Sequence, residues 1–360
     1  FASYNVKTGT IEYVKPESVI VKEYNGDIHH WQSSKCDILV TPAHQMLFYG
    51  QSNNLDAFST SEEIIGKCVR FRISASNNNT EHVISDDEIK LAAWCYSDGG
   101  INKDSKKWTI YQSKINFVNE IRSLLNKIGL DYTESVRNRE IKSICGRELK
   151  NNPLPSYEFR IKNDLSYLVS GRLNLDSWVY RLSKRQADLF IKTIIDGNGS
   201  RHKSSPEKSW MLYGMKSILE DVQLLCINNG HSCSLSTYRN NQYRLNINNG
   251  AQFIKLNSVK NHSNSKKIKY SGLVWCATTS NNTVIARRNG KVSIQGNCRY
   301  NKYMSSLQNA RLGAALPSPY DALQMDDWKI LQNWQEDYFL LGNDLEVMHG
   351  TITSQNAASA

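Results

Sequence analysis

A chain of 360 residues, 40% hydrophobic and 22% charged, is long enough for two or three packed units. It holds no run near the ~18 to 20 apolar residues of a membrane span, and no charged-then-apolar leader opens it. The net charge of +10 is uneven: residues 298–360 hold four Lys/Arg against seven Asp/Glu, so the first 297 residues carry +13. That excess suits a phosphate backbone, and equally a solvated basic surface.

From residue 1 to about 75, short apolar alternations such as "SVIVKEY" and "CDILVT" are broken by "YNGD", "TPAH" and "YGQSNN", which predicts strands. The chain opens on Phe1 in mid-pattern and reads as a fragment. Ser85 and Glu88 then have capping-box spacing, with Ile89, Ala92, Ala93 and Tyr96 following on one helical face up to Asp98-Gly99-Gly100. A second segment of the same kind, "LSKRQADLFIKTIIDGNGS", is capped by Ser183 and runs into Asp196-Gly197.

After each Asp-Gly come a polar loop, a short strand ("WTIYQ" at 108–112, "WMLYG" at 210–214) and an amphipathic helix. In those helices Ile121, Leu124 and Gly129 match Val222, Leu225 and Gly230 at a constant offset of 101. Strand pairs that include "YEFRIKN" and "NQYRLNIN" close each copy. The stretch at about 85–165 thus recurs at about 183–250 as a duplicated α+β module. From about 268 the strands return as "KYSGLVWCATT", "TVIARR" and "KVSIQGN", so the two β-rich ends are expected to form one domain interrupted by the insert. Beyond Cys298 the pattern is amphipathic and predicts helix. The eight cysteines, at 36, 68, 95, 145, 226, 233, 276 and 298, show neither Cys-x-x-Cys nor a disulfide spacing, which fits a reducing, cytoplasmic setting.

Asn297 stands directly before Cys298. An Asn amide can attack its own backbone carbonyl and release the following peptide, and a thiol can accept an acyl group, although a lone "GNC" is ordinarily a turn. Upstream, Thr41 and His44 in "VTPAHQML" are three residues apart after a strand, where a histidine can assist an acyl shift or simply sit on a capped turn.

Taken together, "VTPAHQML" and "VWCATTSNNTVIARRNGKVSIQGNC" resemble the splicing motifs of inteins. "LAAWCYSDG" and "LFIKTIIDG" resemble the paired helices of LAGLIDADG homing endonucleases. The resemblance implies an all-β, horseshoe-like Hint splicing domain in residues 1–80 and 263–297, a LAGLIDADG domain in 81–262 and a mainly helical extein segment in 298–360. It implies that Thr41 and His44 activate the upstream junction, Cys276 supports the central acyl transfers, Asn297 cyclises and Cys298 accepts the acyl group. The family's first motif is not present, its penultimate histidine is Gly296, and no histidine stands between Asn281 and Val284.

For the nuclease, the resemblance implies that Asp98 and Asp196 hold Mg2+ above double-stranded DNA. The small residue that lets the two helices pack closely is Ala93 in the first copy but Ile191 in the second. Arg160 and Lys162 are aligned with Arg244 and Asn246, and Lys162 is expected near the scissile phosphate. Arg160, Arg172, Arg181, Lys184, Arg185 and Arg244 are the expected DNA contacts. A monomer acting on an intein-less allele in a microbial or virus-infected cell, with its exteins in cis and no membrane, is the resulting picture. A free-standing LAGLIDADG nuclease or DNA-binding relic without splicing, or a viral structural or packaging protein identified by residues 298–360, are the alternatives.

Overall fold

The computed structural model describes residues 1–50, 55–102, 105–138, 154–239, 242–257 and 264–297, with short strand backbones at 143–144, 147–148 and 346–347. Cys298 and the expected helical tail lie outside the described residues. The chain begins with β1 (Ala2–Asn5), β2 (Thr10–Tyr13), β3 (Ser18–Gln32), β4 (Asp37–Val40), β5 (Gln45–Tyr49), β6 (Asp56–Thr60), α1 (Ser61–Ile64) and β7 (Val69–Arg72). The first copy of the duplicated module contains α2 (Asp86–Asp98), β8 (Gly99–Ile101), β9 (Trp108–Gln112), α3 (Ile115–Ile128), β10 (Tyr132–Arg137), the hairpin β11 (Ser143–Ile144) and β12 (Arg147–Glu148), and β13 (Ser156–Ile161). A 3-10 helix at Ser177–Arg181 leads to the second copy, α4 (Lys184–Asn198), β14 (Gly199–Arg201), β15 (Ser209–Gly214), α5 (Lys216–Ile227), β16 (Ser232–Thr237) and β17 (Tyr243–Asn248). Five further strands follow: β18 (Phe253–Leu256), β19 (Ser265–Thr278), β20 (Thr283–Arg288), β21 (Lys291–Gly296) and β22 (Glu346–Val347). The architecture is mixed α and β.

Two compact units form. The first combines Phe1–Asn77, Gly230–Ser236 and the chain from Gly250; the second holds Asn78–Asn229 and Thr237–Asn249. The first unit is built almost wholly of strands. Its spine is the antiparallel pair β3 and β19, in register from Ser18 opposite Thr278 to Trp31 opposite Ser265. Val, Ile, Tyr and Trp along both strands suit a pleated, half-buried surface, and here they join segments more than two hundred residues apart in sequence. Beneath them Trp31, Cys36, Ile38, Met46, Phe71 and Leu256 form a core, with Trp31 edge-on to Phe71 at 5.7 Å between ring centroids. Each large side chain buried there contributes ~1.5–3 kcal/mol. Most of β16 also belongs to this unit, because Ser234 pairs with Lys291 of β21 and the Leu235 N–H donates to Gly290 O at 2.8 Å.

In the second unit α2 and α4 each start with a complete capping box, Ser85 with Glu88 and Ser183 with Gln186. Leu91 through Ser97 of α2 are all buried, so this helix is covered on every side, packed on α4 and on α3 and β9. In the first copy the strands order β10-β13-β9-β8, all antiparallel. In the second, β14, β15 and β17 repeat the β8, β9, β13 ladder.

Candidate functional sites

The two helices of the duplicated unit end alike. Gly99 and Gly199 are the first residues past them, and each donates its N–H to the carbonyl four residues back, Cys95 and Ile195 respectively. A Cβ on Gly99 would sit 2.2 Å from Cys95 O and one on Gly199 2.7 Å from Ile195 O, so both ends require glycine. The strands that follow agree, since Gly99 pairs with Ile110 and Gly199 with Leu212. Gly99 therefore corresponds to Gly199, Asp98 to Asn198, and Tyr96 to Asp196.

This corrects the expected match of Asp98 with Asp196 by two residues. Two residues of helix are ~200° of rotation, and Asp196 accordingly takes a different place, accepting from Arg201 at 2.7 Å. The same register pairs Ala93 with Thr193 rather than Ile191. Both are small and buried, and the Thr193 hydroxyl donates to Leu189 O at 2.9 Å. The close contact of the helices runs past Gly197, where a Cβ would lie 2.3 Å from Ser97 Oγ and 3.1 Å from Asp98 Oδ2. Asn198 Nδ2 and Arg172 both donate to Ser97 O, at 2.5 and 3.2 Å.

Asp98 is consequently a half-buried carboxylate set against Gly197. Burial pushes its carboxyl up to about 6, against the opposing pull of Lys114, Arg172 and the Gln112 amide. Gln112 Nε2 donates to Asp98 Oδ2 at 2.9 Å, and its Oε1 accepts from the Ser113 and Lys114 N–H groups at 2.9 and 3.0 Å, which fixes its amide orientation. Lys114 caps α3 and reaches Asp196 O at 3.4 Å. The second copy differs at each position. The ladder puts Gly214 where Gln112 stands, because Tyr157 pairs with Gln112 and Tyr243 with Gly214. Met215 caps α5 where Lys114 caps α3. Sequence reasoning missed Gln112, Lys114 and Asn198; the Gly199 cap two residues past Asp-Gly was the available signal.

Among the described residues no group of three or more His, Cys, Asp or Glu side chains is arranged to hold a metal ion. A hard divalent cation such as Mg2+ keeps several waters and needs only one or two carboxylates beside substrate phosphates. Asp98, desolvated and bonded by a neutral amide, fits one such cation. Asp196 is engaged by Arg201, and Asn198 carries no charge.

Lys162 lies just past β13, and Tyr157, the partner of Gln112, is five residues away at the strand's other end, ~16 Å along it. The ladders also shift the expected strand alignment by two residues, because Thr109 pairs with Arg160 and Met211 with Asn246. Arg160 thus corresponds to Asn246, and Glu158 to Arg244. Arg160 is ion-paired to Glu158 at 2.7 Å, and Arg244 lies 5.7 Å over the Tyr238 ring. Lys184 pairs with Asp188, and Arg185 with Glu81 and Asp86, so these charges are already engaged; Arg181 is exposed at the end of the 3-10 helix.

In the first unit, Thr41, His44 and Cys276 line one cavity of about 640 Å³, together with Asp37, Val274 and Arg288. The "TPAH" turn closes on the His44 N–H donating to Thr41 O at 3.0 Å, and Ser61 Oγ pins it by donating to the same carbonyl at 2.7 Å. Asn297 is buried, and its N–H donates to Asn282 O at 3.0 Å. With its amide oriented to satisfy both ends, Nδ2 donates to Ala277 O at 2.9 Å and Oδ1 accepts from the Thr279 N–H at 2.8 Å. The side chain is thus held against β19 directly after Cys276. Gly296 stands where the resemblance expects a histidine, and a Cβ there would meet Gln45 O at 2.8 Å and Phe58 Cδ1 at 3.0 Å. Thr283, opposite Gly296, is fully buried and donates to Tyr4 O at 2.6 Å while accepting from the Tyr4 N–H at 2.7 Å.

No family model matches the chain. Among curated proteins it is 20% identical over 404 aligned positions to the ribonucleoside-diphosphate reductase subunit beta of Aquifex aeolicus (strain VF5), a match covering 99% of the chain and 53% of that protein. It is 23% identical over 232 positions to the ATP-dependent Clp protease proteolytic subunit of Chlamydomonas moewusii, covering 53% of the chain and 22% of that protein. The chain therefore spans about half of the first relative and less of the second. Solved structures that are similar include full-length DUF199/WhiA from Thermatoga maritima (10% identity, 47% of this chain and 53% of that one, TM-score 0.34). Others are I-DmoI in complex with DNA and Mn (16%, 45% and 89%, 0.32) and the homing endonuclease I-WcaI bound to its DNA recognition sequence (12%, 47% and 78%, 0.33).

Proposed function

We propose that the chain is an intein with an inserted LAGLIDADG-type endonuclease, followed from Cys298 by part of its host protein. The supporting observation is that the strands on either side of the insert close one unit, and that Asn297 is held beside the cavity formed by Thr41, His44 and Cys276. In the right-hand step Asn297 Nδ2 attacks the Asn297 carbonyl carbon, a succinimide forms, the C–N bond to Cys298 breaks, and the released amine takes up the amide proton. Thr279 and Ala277 orient the attacking amide. Cys276 and His44 line the adjoining cavity.

The duplicated unit we read as a DNA endonuclease. Mg2+, when bound, polarises the phosphate and its attacking water. Asp98 holds the charge for that cation, Gln112 fixes the carboxylate, and Lys114 with Arg172 adds positive potential for the phosphate. The curated match leaves no more than about four residues of the chain uncovered, so it runs beyond Asn297. A ribonucleoside-diphosphate reductase beta subunit is the host we propose.

Intact mass followed over time on residues 1–360 tests the splicing half. Cleavage between Asn297 and Cys298, lost in Asn297→Ala, is expected; an unchanged full-length mass under reducing conditions overturns it. If DNA is cut while the mass stays whole, the chain is a free-standing nuclease.

A further inference from the structure

We infer that the duplicated unit has one working half-site, so that it nicks a single DNA strand through Asp98 instead of cutting both. This rests on reading the unit as a nuclease. Its support is internal to the chain: the two halves share caps, ladders and helix contacts, yet three chemical positions have diverged together. Asp98 is replaced by Asn198, Gln112 by Gly214, and Lys114 by Met215 at the corresponding positions of the second copy.

Each change removes a separate requirement. Asn198 has no charge with which to hold a divalent cation, and its amide already donates to Ser97 O at 2.5 Å. Gly214 has no side chain with which to fix a carboxylate. Met215, 50% exposed, gives no positive potential, and Lys216 after it is ion-paired to Glu220 at 3.6 Å. Asp196 does not substitute, since it sits two residues earlier in α4 and is held by Arg201 at 2.7 Å. In the first half Gln112 bonds Asp98 at 2.9 Å, and the Lys114 ammonium, which reaches Asp196 O at 3.4 Å, is close enough to act on the Asp98 carboxylate through its charge. Hydrolysis at that half adds one water across one phosphodiester: the water oxygen bonds to phosphorus, one P–O ester bond breaks, and the leaving oxygen takes the water's proton. Among the described residues the second copy offers the opposite strand no equivalent of Asp98, Gln112 and Lys114.

The test uses the full chain, a supercoiled plasmid carrying the host gene with the intein-coding segment removed, and Mg2+ or Mn2+. Nicked circle is expected as the product, with the cut confined to one strand. Bound Mn2+, counted by electron paramagnetic resonance on the protein–duplex complex, is expected at one per chain. Asp98→Asn should lower nicking on the order of 100-fold or more and remove the Mn2+. The triple change Asn198→Asp, Gly214→Gln, Met215→Lys restores the second set. A Cβ at Gly214 meets only Ile218 and Leu219 carbons at 3.6–3.8 Å, so the unit accommodates it. That variant should bind two Mn2+ and give linear product. Linear product or two Mn2+ from the unaltered chain, or nicking that survives Asp98→Asn, overturns the single half-site while leaving the nuclease reading intact. No product and no bound Mn2+ in either the unaltered chain or the triple variant overturns the nuclease reading itself.

Discussion

The ends of α2 and α4 are alike in backbone and unlike in chemistry. Both finish on a glycine whose N–H closes the last turn and whose missing Cβ leaves room for the carbonyl four residues back. Only α2 brings a half-buried carboxylate to that point, with Gln112 and Lys114 on the elements that follow. The difference separates two kinds of constraint. Caps and close contacts hold the pair of helices together and are kept in both halves. Asp98 contributes nothing of that sort, and its burial works against the fold whenever it is ionised.

The largest effect is expected where the two ends touch. Gly197→Val should destabilise the second unit by ~3 kcal/mol in urea unfolding, because its Cβ would lie 2.3 Å from Ser97 Oγ. Ser97→Gly in that background should restore part of the loss; no recovery would mean that the contact does not set the helix spacing. The same crowding in the first unit predicts a loss of ~2 kcal/mol for Gly296→His, since Gln45 O and Phe58 occupy the space. A variant of unchanged stability that cleaves faster at Asn297 would break that account.

Asp98 gives a pH-dependent prediction. Its folded carboxyl titrates near 6 while an unfolded Asp titrates near 3.8, so its favourable contribution is complete below about 3.8 and is lost as pH rises through 6. Asp98→Asn should therefore be more stable than the parent by ~1–2 kcal/mol above pH 6, after allowance for solvent screening. The difference should fade towards pH 4 in parallel melts, and a pH-independent difference would show that burial is not its cause. Arg201→Ala, which frees Asp196 from a partly exposed pair, should cost under ~1 kcal/mol and less in high salt.

Much of this was legible in the sequence because it depends on local rules. The Ser85–Glu88 box, the glycine-ended helices, the matched positions Ile121, Leu124 and Gly129 with Val222, Leu225 and Gly230, and the strand pattern on both sides follow from periodicity and caps. The register between copies did not. The Asp-Gly pair at 196–197 mimics the one at 98–99 but lies two residues before the glycine that ends α4. Along a strand a two-residue slip keeps every side chain on its own face, so Arg160 with Arg244 looked as regular as Arg160 with Asn246. Along a helix the same slip turns a residue ~200° away, which is why Asp196 meets Arg201 and Asn198 meets Ser97.

The sequence by itself determined the elements, the duplication and the two candidate chemistries, because each is written in spacings of a few residues. Tertiary structure alone decided which residues share a site. Gln112 meets Asp98 through the β8–β9 ladder, Thr41 and Cys276 share a cavity because β3 pairs with β19, and Gly296 excludes a side chain because β21 runs against Gln45. Those meetings come from chain segments brought together by packing, and no local pattern encodes which segments will meet.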